Sequence, residues 1–329
     1  MQKILLIQTA FIGDVILMTA ALESAHTAYP DARIDVLVRQ GNEALLKGHP
    51  FIDTLYVWEK KKAKYRSLIR LLLSVRKVHY DVVINFQRFI SSGFLTAFSG
   101  AKQRIGFANN PMSWLFDLKC AHVVGRMSDT RFKHEVDRNH ELLCLWHVVP
   151  AARPKLYPSS SDFDKIEPFA TDGFITISPA SVWETKRFPA AKWVELIQRV
   201  KKRVVLLGGP GDRQLCQEIA SLAHGSLVQV LAGDLTMLQS AALMSKAQMN
   251  YVNDSGPLHL CSAMNAPVRA IFCSTIPQFG FGPLSDQSQV IQTTLPLDCR
   301  PCGLHGHRKC PQGHFKCAQS IQINDILSA

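Results

Sequence analysis

Long apolar runs are missing from this sequence. No stretch of the chain approaches the ~20 consecutive apolar positions that a helix needs to cross a bilayer. The first apolar run, Ile4–Ile7, stops at Gln8, and Asp14 interrupts the run that follows, so the N-terminus does not have the pattern of a signal peptide. The sequence therefore predicts a cytoplasmic protein whose apolar content of 47% serves a folded core.

Acidic residues are also scarce. The chain has 26 Asp and Glu against 37 Lys and Arg, which gives a formal net charge of +11. This excess favours anionic partners such as phosphates, acidic sugars, nucleic acid or an anionic membrane face, although it can also serve solubility alone. The chain lacks a basic patch interleaved with aromatic residues, and this absence argues against nucleic acid as the partner.

Strand and helix patterns alternate along both halves of the chain, which predicts α/β units with parallel sheets. The strand patterns are Lys3–Ile7, Ile34–Val38, Leu55–Trp58, Val82–Asn85, Ala101–Phe107, Phe174–Ser178, Arg203–Leu207, Leu227–Val230, Gln248–Val252 and Val268–Phe272. The main helix patterns are Asp14–Ala28, Lys60–His79, Lys133–Val148, Ala190–Arg199 and Leu238–Met244. The Pro-rich stretch Val149–Asp164 marks a boundary, so we predict one domain over 1–155 and another over 156–329. Asn109–Val124 shows no clean periodicity and is predicted to be a loop.

The segment Val252–Leu260 joins a predicted strand to a predicted helix through a polar turn. In α/β proteins this arrangement presents backbone N–H groups to a phosphate. Asp254 or Ser255 can cap the helix, and Gly256 lets a ligand approach the backbone. The same pattern also fits an ordinary capped helix without a ligand.

The segment Lys60–His79 is both basic and apolar. Its cations are Lys60, Lys61, Lys62, Lys64, Arg66, Arg70, Arg76 and Lys77, and they surround a row of leucine, isoleucine and valine residues. As a helix it would be basic on one side and apolar on the other. A solvated helix that packs on the sheet and a face for a membrane or an anionic acceptor fit about equally well, and both can hold.

Cysteines fall into two groups. Cys120, Cys144, Cys216, Cys261 and Cys273 lie in apolar contexts and are expected to be buried. Cys299, Cys302, Cys310 and Cys317 cluster near the C-terminus among three histidines. A Cys-x-x-Cys pair with two further cysteines can form a structural zinc site, although these spacings are not those of a standard zinc finger. Free thiols are the alternative in a cytoplasmic protein.

Three short motifs, taken together, resemble glycosyltransferase family 9, the heptosyltransferases of bacterial lipopolysaccharide synthesis. Lys3–Leu22 contains Gly-Asp-Val after the first strand, Ser178–Pro189 contains Thr-Lys-Arg-Phe-Pro, and Val252–Leu260 contains Asn-Asp-Ser-Gly-x-x-His. Asp81–Phe107 extends the resemblance, and the Asn-Asp-Ser-Gly turn with Gly282–Ser285 is most similar to the heptosyltransferase II type. The resemblance implies a GT-B fold, with two facing doubly wound, Rossmann-like domains and a cleft between them.

The resemblance also implies an activity. It is an inverting, metal-independent transfer of a heptose from ADP-L-glycero-β-D-manno-heptose to the lipid-anchored inner core. The N-terminal domain would bind the acceptor and the C-terminal domain the nucleotide sugar. No cofactor would be required, and the protein would work at the cytoplasmic face of the inner membrane, in peripheral contact with it.

The resemblance assigns roles to individual residues. Asp14 matches the presumed catalytic base, although a helix N-cap is the simpler interpretation from the residues alone. Lys186 matches a lysine that contacts the donor phosphates. The other expected donor-site residues are Ser181, Val182, Gly208, Gly209, Asp212, Leu235, Asp254, Ser255, Gly256, Pro257 and His259. The expected acceptor-site residues are Gly13, Lys61, Lys64, Arg66, Gln87, Arg88, His134 and Arg138, the last two of which could instead pair with Asp137 or Glu141.

Two alternatives stay open from the sequence. The first is a family member that uses another nucleotide sugar or another acceptor. The second is a basic α/β protein that binds a nucleotide or nucleic acid without turnover, for which the excess of cations is the main argument.

Overall fold

The computed structural model describes residues 1–60, 64–170 and 173–328, and the chain divides into two compact units. Unit 1 consists of Met1–Val124 and Lys133–Tyr157, and unit 2 consists of Gly125–Phe132 and Pro158–Ala329. Each unit contains its own six-stranded parallel sheet. The prediction of two doubly wound α/β units is therefore confirmed.

Unit 1 has the strand order β3-β2-β1-β4-β5-β6. Its strands are β1 (Lys3–Gln8), β2 (Arg33–Arg39), β3 (Thr54–Trp58), β4 (Val82–Asn85), β5 (Gln103–Phe107) and β6 (Leu118–Cys120). Its helices are α1 (Ile12–Ala28), α2 (Lys64–Val78), α3 (Ile90–Ala97) and α4 (Glu135–Cys144). The central strands are buried along nearly their whole length, because helices cover both faces of a parallel sheet.

Strand β6 corrects one prediction. The stretch Asn109–Val124 is not a plain loop, since Leu118–Cys120 pairs in parallel with β5. This strand is only three residues long and lies at the sheet edge with partly exposed side chains, so it leaves no alternating pattern in the sequence. Cys120 and Cys144 were expected to be buried, but both are only half-buried.

Unit 2 repeats the architecture with the strand order β12-β11-β10-β7-β8-β9. Its strands are β7 (Phe174–Ser178), β8 (Arg203–Leu206), β9 (Val228–Val230), β10 (Asn250–Asn253), β11 (Val268–Phe272) and β12 (Ser288–Gln292). Its helices are α5 (Ser160–Ile166), α6 (Ala190–Val200), α7 (Arg213–Leu222), α8 (Met237–Lys246), α9 (Gly256–Ala263), α10 (Lys316–Gln319) and α11 (Ile323–Leu327). Its core joins Trp193, Leu196 and Ile219 to the strand residues Ile177 and Leu206.

Each sheet has a topological switch point. There, the connections that follow two adjacent strands run in opposite directions, so the strand order reverses. The switch point lies between β1 and β4 in unit 1 and between β7 and β10 in unit 2. Ligands of open α/β sheets bind outside the carboxyl ends of the strands at such points. Within the described ranges, no helix combines the length and the apolar content that crossing a bilayer requires.

Candidate functional site

Asp14 lies at the switch point of unit 1, in the first turn of α1. The simpler interpretation, that Asp14 is the helix N-cap, is wrong. Phe11 is the N-cap, and its N–H donates to Asp14 Oδ2 at 3.2 Å. An N-cap assignment fails here because the helix begins at Ile12, two residues earlier than the predicted Asp14. Asp14 is a partly exposed residue at the carboxyl edge of the sheet, where open α/β sheets bind their ligands.

The surroundings of Asp14 make it a better base than an ordinary aspartate. Burial raises the pKa of the Asp14 carboxyl to about 6, and the negative charge of Glu135 adds to the shift. The backbone N–H groups of Phe11 and Asp14 and the charge of Arg88 act in the opposite direction. A carboxylate whose pKa lies near neutrality accepts a proton more readily and is still largely ionised at pH 7.

Glu135, which no motif in the sequence indicated, belongs to a buried cluster with His122 and Arg138. Its Oε2 lies 3.0 Å from His122 Nε2 and 2.7 Å from Arg138 Nε. Burial alone would raise the pKa of Glu135, but the hydrogen bond to His122 and the charge of Arg138 hold it below its ordinary value. Glu135 is thus an anion at neutral pH, which is why it raises the pKa of Asp14.

Two of the expected acceptor residues lie in the loop after β4. Gln87 is buried, and its side-chain amide contacts the side chain of Gln8 at the end of β1. Its backbone N–H donates to Asn85 Oδ1 at 2.9 Å. Arg88 is exposed and close enough to Asp14 to lower the pKa of that carboxyl. The switch point of unit 1 therefore combines a carboxylate, amide groups and an exposed cation.

The other expected acceptor residues do not gather at one place. Gly13 precedes Asp14 in α1, and Arg66 is exposed on α2. His134 caps α4 by accepting from the Val136 N–H at 3.2 Å. Arg138 is fully buried, and its acidic partner is Glu135 rather than Asp137 or Glu141. Lys61 and the side chain of Lys64 lie outside the part of the molecule that the structure describes.

The raised pKa of Asp14 predicts a pH dependence for any reaction in which it acts as base. We expect kcat/KM to fall about tenfold per pH unit below a midpoint near pH 6, because the protonated carboxyl cannot accept a proton. Above this midpoint the group is ionised and the rate should level off. A pH–rate profile checks this, with ligand affinity over the same pH range as the control. An acid limb centred near pH 4, the range of an ordinary aspartate, would contradict the assignment.

The switch point of unit 2 holds an ion pair. Lys186 Nζ lies 2.7 Å from Asp254 Oδ2, and the two side chains are 14% and 7% exposed. The Thr275 hydroxyl donates to the same carboxylate oxygen at 2.5 Å. An ammonium group has three donors, so Lys186 can hold Asp254 and still donate to an anion at the sheet edge.

Asn253 ties the two loops of this switch point together. Its Oδ1 accepts from the Phe188 N–H at 3.0 Å, and its Nδ2 donates to the Pro179 carbonyl at 2.8 Å. The side chain is fully buried at the end of β10. This link fixes the loop that carries Lys186 against the turn that carries Asp254.

Helix α9 begins directly behind the ion pair. Ser255 is its N-cap, and Gly256 and Pro257 form its first turn, all three partly exposed. The N-terminus of a helix attracts anions through its backbone N–H groups and its dipole. His259 lies one turn further along and is buried. A cation and a helix N-terminus therefore adjoin each other, as a phosphate site requires.

The remaining expected donor residues occupy neighbouring loops of unit 2. The Ser181 carbonyl accepts from Arg187 Nε at 2.7 Å, and Val182 is exposed. After β8, the Gly209 N–H donates to Asp212 Oδ2 at 2.8 Å, so Asp212 closes its own turn. The loop after β9 adjoins this turn through the Gly233 N–H, which donates to the Gly208 carbonyl at 2.9 Å. Leu235, partly exposed, follows in that second loop.

The Cys-rich segment packs beside the Lys186 loop. The His307 N–H donates to Thr185 Oγ1 at 2.7 Å, and the Arg300 guanidinium donates to the Thr275 carbonyl at 2.7 Å. All four cysteines of this segment are free thiols. Among the residues that the structure describes, no group of three or more His, Cys, Asp and Glu is arranged to hold a metal ion.

Comparison with known proteins agrees with this architecture. The model of glycosyltransferase family 9 (heptosyltransferase) matches residues 68–310. A lipopolysaccharide heptosyltransferase 3 of Escherichia coli is 26% identical, with 80% of this chain and 82% of the relative covered. A family 9 glycosyl transferase from Veillonella parvula has the same fold, with a TM-score of 0.81 and 20% identity. The match covers 100% of this chain and 95% of that chain. The structure of the E. coli ADP-heptose LPS heptosyltransferase II is also similar, with a TM-score of 0.78 and 22% identity. The match covers 99% of this chain and 97% of that chain.

Proposed function

Because the chain belongs to glycosyltransferase family 9, we propose that it transfers a heptose from ADP-L-glycero-β-D-manno-heptose to the inner core of lipopolysaccharide. The relatives support this choice of donor and acceptor, since one is an ADP-heptose LPS heptosyltransferase II and another a lipopolysaccharide heptosyltransferase 3. The observation that carries the proposal is the Lys186–Asp254 pair in front of the α9 N-terminus, which suits a sugar diphosphate.

Asp14 acts as the general base in the proposed reaction. An acceptor hydroxyl attacks the anomeric carbon from the side opposite the diphosphate and gives its proton to Asp14. The new glycosidic bond forms while the bond to the diphosphate oxygen breaks, so the configuration inverts. The raised pKa of Asp14 supports this role.

Stabilisation of the leaving ADP falls to unit 2. Lys186 donates to the diphosphate, and the backbone N–H groups at the start of α9 share its charge. Asp212 and Leu235, in the two loops next to this site, would contact the nucleoside. With a lysine, a helix dipole and N–H groups at the leaving group, the transfer is proposed to proceed without a metal.

The acceptor is proposed to bind at the switch point of unit 1, against Asp14, Gln87 and Arg88. A domain over 1–155 would thus take the acceptor and a domain over 156–329 the nucleotide sugar. The acceptor carries a lipid anchor, so the enzyme would work in peripheral contact with the cytoplasmic face of the inner membrane.

A structural zinc ion at Cys299, Cys302, Cys310 and Cys317 stays a prediction. Burial is the main cause of the raised thiol pKa of Cys302 and of Cys317. Cys299 and Cys310 add to both shifts, which supports the proximity of these cysteines. Metal analysis of protein purified without chelator decides the question.

A donor panel tests the proposed function. Purified protein is incubated with delipidated inner-core acceptor and with ADP-heptose, a UDP-sugar or a GDP-sugar, and the product is identified by mass spectrometry. We expect a transfer product with ADP-heptose and none with the UDP-sugar or the GDP-sugar. Transfer from another nucleotide sugar would assign a different donor within the family, and tight nucleotide binding without any transfer would favour a non-catalytic protein.

A further inference from the structure

Helix α2 exposes apolar side chains on its outer face. Tyr65, Ile69 and Leu73 are 74%, 46% and 56% exposed, and their spacing of four residues places them in one stripe. Leu68, Leu72 and Val75 form the neighbouring stripe, roughly a quarter-turn around the helix, and are buried in the core of unit 1. The core therefore covers one stripe of α2 and leaves the adjoining apolar row exposed.

Cations flank this exposed row. The α2 face, as we call it, consists of Tyr65, Arg66, Ile69, Arg70, Leu73, Arg76 and Lys77, and all seven residues are exposed. Between residues 60 and 116 the sequence contains eleven Lys and Arg and one acid, Asp81, which pairs with Lys102 at 2.7 Å, while Glu59 and Asp117 stand directly outside this range. An exposed apolar stripe bordered by basic residues is complementary to anionic lipid headgroups above an acyl layer.

Helix α3 extends the same surface. Arg76 Nη1 donates to the Phe98 carbonyl at 2.9 Å, which holds the ends of α2 and α3 together. Phe98 is 43% exposed, and Phe89 and Ile90 at the start of α3 are 61% and 63% exposed. Phe89, the N-cap of α3, follows Arg88, so Phe89 and Ile90 lie near the carboxyl edge of the sheet, where Asp14 also lies.

We propose that the α2 face, together with Phe89 and Ile90, docks unit 1 on an anionic phospholipid bilayer. The inference rests on the proposed function in one respect, since docking at this edge would bring a lipid-anchored acceptor next to Asp14. The apolar row enters the headgroup region, and each cation adds attraction to anionic lipid. Each such cation near the surface contributes about fivefold in affinity.

Vesicle sedimentation tests the proposal on the full-length protein. Vesicles of phosphatidylglycerol and phosphatidylcholine are compared with vesicles of phosphatidylcholine alone. We expect wild-type protein to sediment with the anionic vesicles and to be released by salt. Ile69→Ser/Leu73→Ser and Arg70→Gln/Lys77→Gln should each lower the vesicle affinity by about tenfold or more.

Matched controls come from exposed positions of unit 2. Leu222→Ser/Leu227→Ser removes two exposed leucines, and Lys165→Gln/Lys201→Gln removes two exposed cations. Both control variants should keep wild-type vesicle affinity. If the α2-face variants sediment like wild type, or if the controls lose as much affinity, the proposal is overturned.

A second readout separates this proposal from the proposed function. Ile69→Ser/Leu73→Ser should transfer heptose to a delipidated, water-soluble acceptor at a rate within about twofold of wild type, because neither residue belongs to the proposed site. Loss of affinity for the soluble acceptor with unchanged vesicle binding would show that the face binds sugar phosphates, and would overturn bilayer docking. Absence of transfer by wild type would refute the function while leaving the vesicle result intact.

Discussion

Asp14→Asn should abolish most of the transfer and leave donor binding intact. We expect kcat to fall about 10²–10⁴-fold, the range that a positioned general base contributes. The asparagine has nearly the same shape and can still accept the Phe11 N–H, so α1 should begin as before. The affinity for ADP-heptose should stay within about twofold, because the proposed donor contacts all belong to unit 2. Single-turnover kinetics and calorimetry measure the two quantities separately.

Asp162→Asn is the matched control for this variant. Asp162 holds the same position in α5 that Asp14 holds in α1, and its Oδ2 accepts the N–H of the cap residue Ser159 at 2.9 Å. Replacing Asp162 should weaken a similar helix-capping hydrogen bond, and Asp162 lies outside the proposed catalytic site. Near-normal turnover of Asp14→Asn, or an equal loss in Asp162→Asn, would remove Asp14 as the base.

Lys186→Met should have the second large effect, on donor binding. We expect the affinity for ADP-heptose to fall about tenfold to a hundredfold, the usual loss for a hydrogen bond from a charged donor. The variant should also be less stable by about 3–5 kcal/mol, because Asp254 would stay buried without its cation. Calorimetry with ADP and urea unfolding measure the two effects.

Two further variants separate binding from stability. Lys186→Met/Asp254→Asn removes both charges and should recover much of the stability without recovering the affinity. Lys192→Met removes a lysine of the same unit whose Nζ donates to the Ile321 carbonyl at 2.6 Å, and it should leave ADP binding unchanged. Unchanged ADP affinity in Lys186→Met would exclude the phosphate role.

The sequence predicted most of the fold because buried parallel strands leave a strong signal. Strands such as Lys3–Gln8 and Phe174–Ser178 are apolar on both faces, and helix α6 has a regular apolar side. The short edge strand Leu118–Cys120 has neither property, and it was missed. Helix boundaries were less certain, since α1 begins at Ile12 with the weak capping residue Phe11.

The candidate site was predictable where its residues share a short motif. Lys186 and Asp254 were each selected from their own loop, but their direct contact depends on the pairing of β7 with β10. Glu135, His122 and Thr275 were missed because they reach the sites only through tertiary structure. The order of parallel strands could have indicated Thr275, since it follows β11, the neighbour of β10.

The location of bound ADP tests the central claim most directly. A crystal structure with ADP should place the diphosphate within hydrogen-bonding distance of Lys186 Nζ and of the first turn of α9, with the nucleoside over the loops after β8 and β9. An ADP molecule bound elsewhere, with Lys186 still directed only at Asp254, would contradict the account.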